Sequence, residues 1–170
     1  FIMGEDGGNG TDTDQYPAHR VDITKKFYME TEEIVPSVYQ QSGLSGSPSD
    51  ISWLNADAFA KWLSKHDGSN YRLPTEAEWN YVYDRSLING LNSREWMNDW
   101  HSPYFDDHLV DPTGPSTGFV KVIREDGTNR YSLPVNATGE KYGFPPTSFR
   151  LVLVVEPITN SPWLAPLPFP

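Results

Sequence analysis

Cysteine is absent from this sequence. Its absence excludes disulfide frameworks, thiolate metal centres and cysteine nucleophiles within these residues. Long apolar runs are missing as well. The longest purely aliphatic stretch, Leu151–Val155, is far shorter than the ~20 residues that a spanning helix needs. Basic residues are scarce, 13 Lys and Arg against 23 Asp and Glu, for a formal net charge of −10. Nonspecific binding to DNA, RNA or anionic lipid needs clustered cations to neutralise phosphate, so those roles are disfavoured. The opening Phe1-Ile2-Met3-Gly4 has no signal-peptide pattern and reads as a processed or excerpted start, which says little about location.

Hydrophobic content is only 37%, but six Trp, nine Tyr and eight Phe supply large buried areas in place of aliphatic bulk. A chain of 170 residues fits one domain, which should bury roughly 70% of its unfolded surface. Fifteen Pro and thirteen Gly imply much irregular structure held by packing. An acidic, Cys-free, Trp-rich domain suits an extracytoplasmic setting: periplasmic, secreted or at the cell surface. The triplets beginning at Asn9 and Asn136 fit the glycosylation acceptor pattern, which matters only in a glycosylating secretory route.

The stretch Tyr71-Arg72-Leu73-Pro74-Thr75-Glu76-Ala77-Glu78-Trp79 organises the chain. Pro74 biases Leu73 towards extended backbone. Thr75 and Glu78 stand at capping-box spacing, so a helix should start there. It is expected to run to about Arg85, with Leu73 and Trp79 clamping its first turn. The clearest amphipathic helix begins after Ser52, with Phe59, Trp62 and Leu63 at i, i+3, i+4 and Gly68 as its stop. A short helix is expected at Ser37–Ser42 with Pro36 in its first turn. Strands are expected at Phe1–Gly4, Asp22–Met29 and Phe119–Arg124, and again near Leu151. His101–Gly118 reads as loop. Residues 1–155 form the domain, and 156–170 a Pro-rich extended tail that is either free or docked on a neighbouring surface through Trp163 and Phe169.

The nine residues from Tyr71 to Trp79 also resemble, position for position, the signature of the formylglycine-generating enzyme (sulfatase-modifying factor) family. Other segments are similar to that family's pattern. His19 falls on the His of its Pro-x-His-x-Val segment, and Ser52-Trp53 on its Ser-Trp helix. Asn92-Ser93-Arg94-Glu95-Trp96 falls on Asn-Val-Trp-Glu-Trp, Asp111–Pro115 on an Asn-Pro-x-Gly-Pro turn, and Ser148-Phe149-Arg150 on the closing Gly-Phe-Arg. There are departures. The insertion before the Trp-Glu-Trp run, which helps relatives build calcium sites, is contracted at Ser86–Arg94. After Arg124 the Arg-Gly-Gly-Ser-Trp motif gives way to Glu125-Asp126-Gly127-Thr128.

The resemblance implies an α+β fold of the C-type-lectin-like kind, with short strands, two or three helices and many loops. It also implies where chemistry would lie. The namesake enzyme oxidises a substrate cysteine with copper held by two Cys in its C-terminal third. The corresponding Glu125–Pro146 contains neither Cys nor His, so formylglycine generation is excluded here. A second class of relatives is linked to non-heme iron and would need His and carboxylates. His101 and His108, with Asp99, Asp106, Asp107 and Asp111 nearby, are the metal candidates, and calcium would need only their oxygens. The same residues also read as a solvated acidic loop. Glu78 has its capping role and Glu76 belongs to the structural corner, so neither is assigned catalysis. His19 reads as a packing residue.

The leading expectation is a non-catalytic binding or structural module, a subunit of a larger assembly with protein partners. Its recognition surface is expected near Trp96, Trp100, Arg124, Arg130 and Arg150, with Trp163 of the tail as a second contact. These residues equally fit core tryptophans and surface arginines. The rival functions are a metal-dependent (non-heme iron) oxidoreductase and a carbohydrate-binding domain.

Overall fold

The computed structural model of the protein describes residues 1–6, 13–89, 93–125 and 129–155. Asn9, Trp163 and the Pro-rich tail lie outside the described residues.

Among the described residues, short strands and three α-helices alternate with long connections, the mixed α+β architecture expected. Strand β1 (Ile2–Met3) pairs antiparallel with β2 (His19–Asp22), and β2 pairs parallel with β6 (Leu109–Val110). A second sheet has β10 (Val152–Val154) between β3 (Phe27–Met29) and β4 (Tyr71–Arg72), antiparallel to both. The largest sheet runs β8 (Asn129–Leu133), β7 (Lys121–Glu125), β5 (Arg94–Trp100), β9 (Thr147–Ser148). Its β5–β7 register shifts between Trp96 and Trp100.

The single strand expected over Asp22–Met29 is instead two, β2 and β3, in different sheets. The break is held by Asp111, whose carboxylate Oδ1 accepts the Thr24 and Lys25 N–H groups at 2.7 and 3.3 Å. These turn donors are satisfied by a side chain 86 and 87 residues away, so no local pattern marked the interruption.

Helix α1 (Pro36–Tyr39) has Pro at its start and no side-chain cap, and a 3₁₀ turn at Gln40–Ser42 completes the expected segment. Helix α2 (Trp53–Asp67) is bounded as the sequence indicates. Ser52 accepts the Asn55 N–H, and Gly68 adopts φ 79°, a left-handed stop that costs glycine no Cβ clash. Helix α3 (Glu76–Tyr83) opens with the complete capping box: Glu78 N–H donates to Thr75 Oγ1 at 3.2 Å and Thr75 N–H to Glu78 Oε2 at 2.9 Å. Arg72 adds two 2.7 Å bonds to the same Glu78 carboxylate, tying β4 to the helix start. Thr75→Ala, which removes one half of the box, should cost about 1 kcal/mol, measured as a shift of the urea midpoint at unchanged m-value.

The staple expected between Leu73 and Trp79 does not form as one contact. Leu73 joins the principal core with Tyr39, Phe59, Trp96, Phe149 and Leu151, whereas Trp79 packs with Val82, Ile88, Met97 and Val122. Strand β5 separates the two clusters by sending Trp96 to one face and Met97 to the other, the period-2 alternation of a strand buried on both sides. A smaller cluster of Met3, Val21 and Ala77 lies under β1 and β2. Among the described residues no helix is long and apolar enough to cross a membrane.

Candidate functional site

The start of α3, the end of β5 and the loop after it enclose a cleft of about 330 Å³. Its lining includes Glu76, Asp99, Trp100, Tyr104, Phe105 and Arg130.

Glu76, the first acidic residue of the corner signature, forms the floor and is buried. Its Oε1 accepts from Arg130 Nε at 2.8 Å, Tyr104 O–H at 2.7 Å and Arg124 Nη1 at 3.4 Å, and its Oε2 accepts from Arg130 Nη2 at 3.0 Å. Burial alone would raise its pKa, but the Arg130 and Arg124 guanidiniums outweigh burial and hold the carboxyl below the usual range. Arg124 also donates to Gln15 Oε1 at 2.8 Å, and Arg130 to the Asp14 carbonyl at 3.1 Å. Tyr104 is pushed well above the ordinary phenol value, by burial first and then by the Glu76 charge. Its ring lies under Arg130 at 4.5 Å and meets His19 edge-on at 4.8 Å. His19 is buried and shares a 3.1 Å hydrogen bond with the Pro17 carbonyl, a packing residue as expected.

Asp99 behaves differently. It is 6% exposed, and its Oδ2 accepts the Glu76 N–H at 2.9 Å, at the first turn of α3. Burial, then the negative charge of Glu76, pushes its pKa up to about 7. Lys121 pulls weakly the other way, since its ammonium donates to the Asn98 carbonyl at 2.6 Å and lies between the Trp53 and Trp100 rings at 4.2 and 4.0 Å. The loop comes down on Asp99 at Gly114, where φ is 71° and a Cβ would stand 3.0 Å from the Asp99 Cβ.

Most of the expected recognition surface is therefore interior. Trp96 and Arg150 are 0% exposed, Arg124 2% and Arg130 4%. Trp100 is half-buried at the cleft. The arginines are not surface groups, because buried carboxylates engage them. Arg150 in particular faces Glu95 away from the cleft, with both bonds at 2.6 Å. Trp96 donates its indole N–H to the Ile51 carbonyl at 2.8 Å.

The metal candidates are not gathered. His101 Nε2 meets Asp14 Oδ2 at 2.9 Å, and His108 Nε2 meets Asp22 Oδ2 at 2.8 Å. The His108 hydrogen bond, then Arg20, holds the Asp22 carboxyl below its usual range. Asp111 serves the Thr24 turn, Asp99 serves α3, and Asp106 and Asp107 are exposed. Among the described residues no three His, Cys, Asp or Glu side chains come together as a metal site, so neither the iron nor the calcium set fits. A cysteine-held copper has no donors either. Asn136 is exposed in the turn after β8, open to modification.

Tyr104, Phe105 and Lys121 belong to the site without any motif to announce them. For Tyr104 and Phe105 the local signal was a loop rich in aromatics and Pro, whereas Lys121 opens strand β7.

The family model of the sulfatase-modifying factor enzyme 1-like domain matches residues 42–90. A formylglycine-generating enzyme of Streptomyces coelicolor is 27% identical over 143 aligned residues, covering 49% of this chain and 44% of that protein. The chain thus spans less than half the length of this curated relative. Among solved structures, Treponema denticola variable protein 1 superposes with a TM-score of 0.73 at 15% identity, covering 91% of this chain and 92% of the other. PvdO from Pseudomonas aeruginosa gives 0.67 at 16% identity, covering 91% of each chain. Both share the fold.

Proposed function

We propose that this chain, a relative of the formylglycine-generating enzyme (sulfatase-modifying factor) family in sequence and in fold, is a non-catalytic binding module and a subunit of a larger extracytoplasmic assembly. The observation that supports it is the internal engagement of the polar network beneath the cleft. Glu76, Tyr104, Arg124 and Arg130 hydrogen-bond to one another and to Asp14, Gln15 and His101. Acid–base and nucleophilic catalysis need such groups aimed at a substrate. What the cleft offers outward is mainly apolar: Phe105 is 64% exposed, and Leu109 of β6 lies at the surface beside it. Exposed aromatic and aliphatic anchors around a concavity are the usual material of recognition rather than reaction. The acidic, Cys-free composition supports the extracytoplasmic setting.

Photo-crosslinking tests this reading. A photoreactive residue placed at Phe105 or Leu109, in the chain expressed in its source cells, should capture one discrete protein partner. The same group at Leu54, exposed on α2 and outside the cleft lining, should not. Equal capture at all three positions would remove the cleft from the interaction. Stoichiometric iron or copper in the purified protein, lost on changing His101 and His108, would establish the oxidoreductase reading instead. Specific hits on a glycan array, lost with Trp100→Ala, would establish the carbohydrate-binding one.

A further inference from the structure

We infer that the cleft receives a basic side chain, an arginine or lysine presented by a partner polypeptide, with its cationic head on the Asp99 carboxylate and its stem among Trp100, Tyr104 and Phe105. This inference rests on the binding-module reading and names the partner's chemistry.

Charge matching inside the cleft points to it. Glu76 is neutralised in place by Arg130 and Arg124. Asp99 accepts one backbone N–H at 2.9 Å, and among the described residues it forms no ion pair. An ionised carboxylate has acceptor sites on both oxygens, so capacity for further donors remains. A buried carboxylate without a cation either takes up a proton or recruits a positive ligand, and the rise of Asp99 to about 7 is the first of these responses. The titratable groups acting on it are Glu76, Glu78, Lys121 and Arg72; the first two add negative charge, the ammonium of Lys121 is engaged at Asn98, and the guanidinium of Arg72 is engaged at Glu78.

The walls suit a long basic side chain better than a bare ion. A divalent cation needs about six or more oxygen ligands, and among the described residues no three His, Cys, Asp or Glu side chains gather to supply them. An alkyl stem with a cationic head instead matches a cleft with apolar walls in which the Asp99 carboxylate forms no ion pair among the described residues. Phe105, Leu109 and Pro112 supply the apolar lining. A cleft of about 330 Å³ is at the small end of ligand sites, suited to one side chain and its flanking backbone. Long-range electrostatics act in the same direction, since a net charge of −10 attracts basic partners and speeds their encounter.

The test is an NMR titration of the full chain at pH 8 with N-acetylarginine amide, and with N-acetylcitrulline amide as its neutral isostere. The arginine compound is expected to shift the Trp100, Tyr104 and Phe105 signals, with a dissociation constant on the order of millimolar for so small a probe. The citrulline compound should bind at least about tenfold more weakly, and Asp99→Asn should weaken the arginine compound by a similar factor. Phe105→Ser, which leaves the carboxylate in place, should weaken it by a few fold. Equal binding of the two compounds, undiminished binding to Asp99→Asn, or no shift at all would each overturn the inference. A partner crosslinked at Phe105 alongside a negative titration would overturn the basic-side-chain inference alone and leave the binding-module reading standing.

Discussion

Replacing Arg150 by Met will lower the unfolding free energy by about 3–5 kcal/mol. Both Arg150 and its partner Glu95 are 0% exposed, and two 2.6 Å bonds join them. The guanidinium also donates to the carbonyls of Glu30 at 3.1 Å, Thr31 at 2.9 Å and Asn89 at 2.9 Å. One side chain therefore fastens β9–β10 to the segment before α1 and to the segment after α3. Burial pushes the Glu95 carboxyl above its ordinary range against the pull of Arg150. Met fills much of the volume but leaves that carboxylate without its cation and the three carbonyls without the guanidinium's hydrogen bonds, Thr31 keeping only the Asn89 N–H. In a domain of this size the loss corresponds to a melting-temperature drop of about 6–20 °C. Changing Glu95 to Leu as well should recover part of the loss, since the uncompensated charge goes while the carbonyls and the Trp79 indole N–H, 3.2 Å from Glu95, stay unmatched. A single Arg150→Met variant within about 1 kcal/mol of the parent in urea would show that the pair is not the clamp described.

The second large effect is a pH profile. Asp99 has an ordinary pKa of 3.8 and is pushed to about 7 in the folded chain, chiefly by burial. Between those values the folded protein holds a proton that the unfolded chain has released. Stability from this group is thus fully present below the unfolded value and is lost as pH rises towards 7, levelling off above it. The slope approaches 1.4 kcal/mol per pH unit and the total is on the order of 3–5 kcal/mol. Asn at this position still offers an oxygen to the Glu76 N–H but carries no charge. Asp99→Asn should therefore resemble the parent near pH 4 and exceed its stability at pH 8, with the gap opening between the two. Comparison with the parent cancels the opposite, acid-range contribution of Glu76, whose carboxyl is held low by arginines. Urea unfolding of both proteins from pH 4 to 8 gives the answer: parallel curves would mean that Asp99 titrates near its ordinary value.

Local chemistry was legible where a few neighbouring residues decide the backbone. Thr75 and Glu78 announced the capping box, Ser52 and Gly68 bounded α2, and Pro36 opened α1, because each works within one helical turn. Signals of the wrong range were misread. The gap between β2 and β3 depends on Asp111, and the supposed staple of Leu73 and Trp79 was divided by β5. The cluster from Asp99 to Asp111 looked like metal ligands in sequence, but its members turn to Asp14, Asp22, Thr24 and the start of α3. Spacing along an irregular loop sets no common direction for side chains.

The sequence by itself determined the absence of thiol chemistry, the acidic balance, the helix boundaries and, through Tyr71–Trp79, the family resemblance that implied the α+β fold. Tertiary structure alone decided the fate of the charges. Arg124, Arg130 and Arg150 carry no mark of burial in their local sequence, yet each meets a carboxylate 48, 54 or 55 positions away. Among the described residues Asp99 forms no such ion pair, and it lines the cleft. The reason is physical: a helix cap is settled by bonds within a few residues, whereas the cost of burying a charge depends on which distant group arrives beside it when the sheets close.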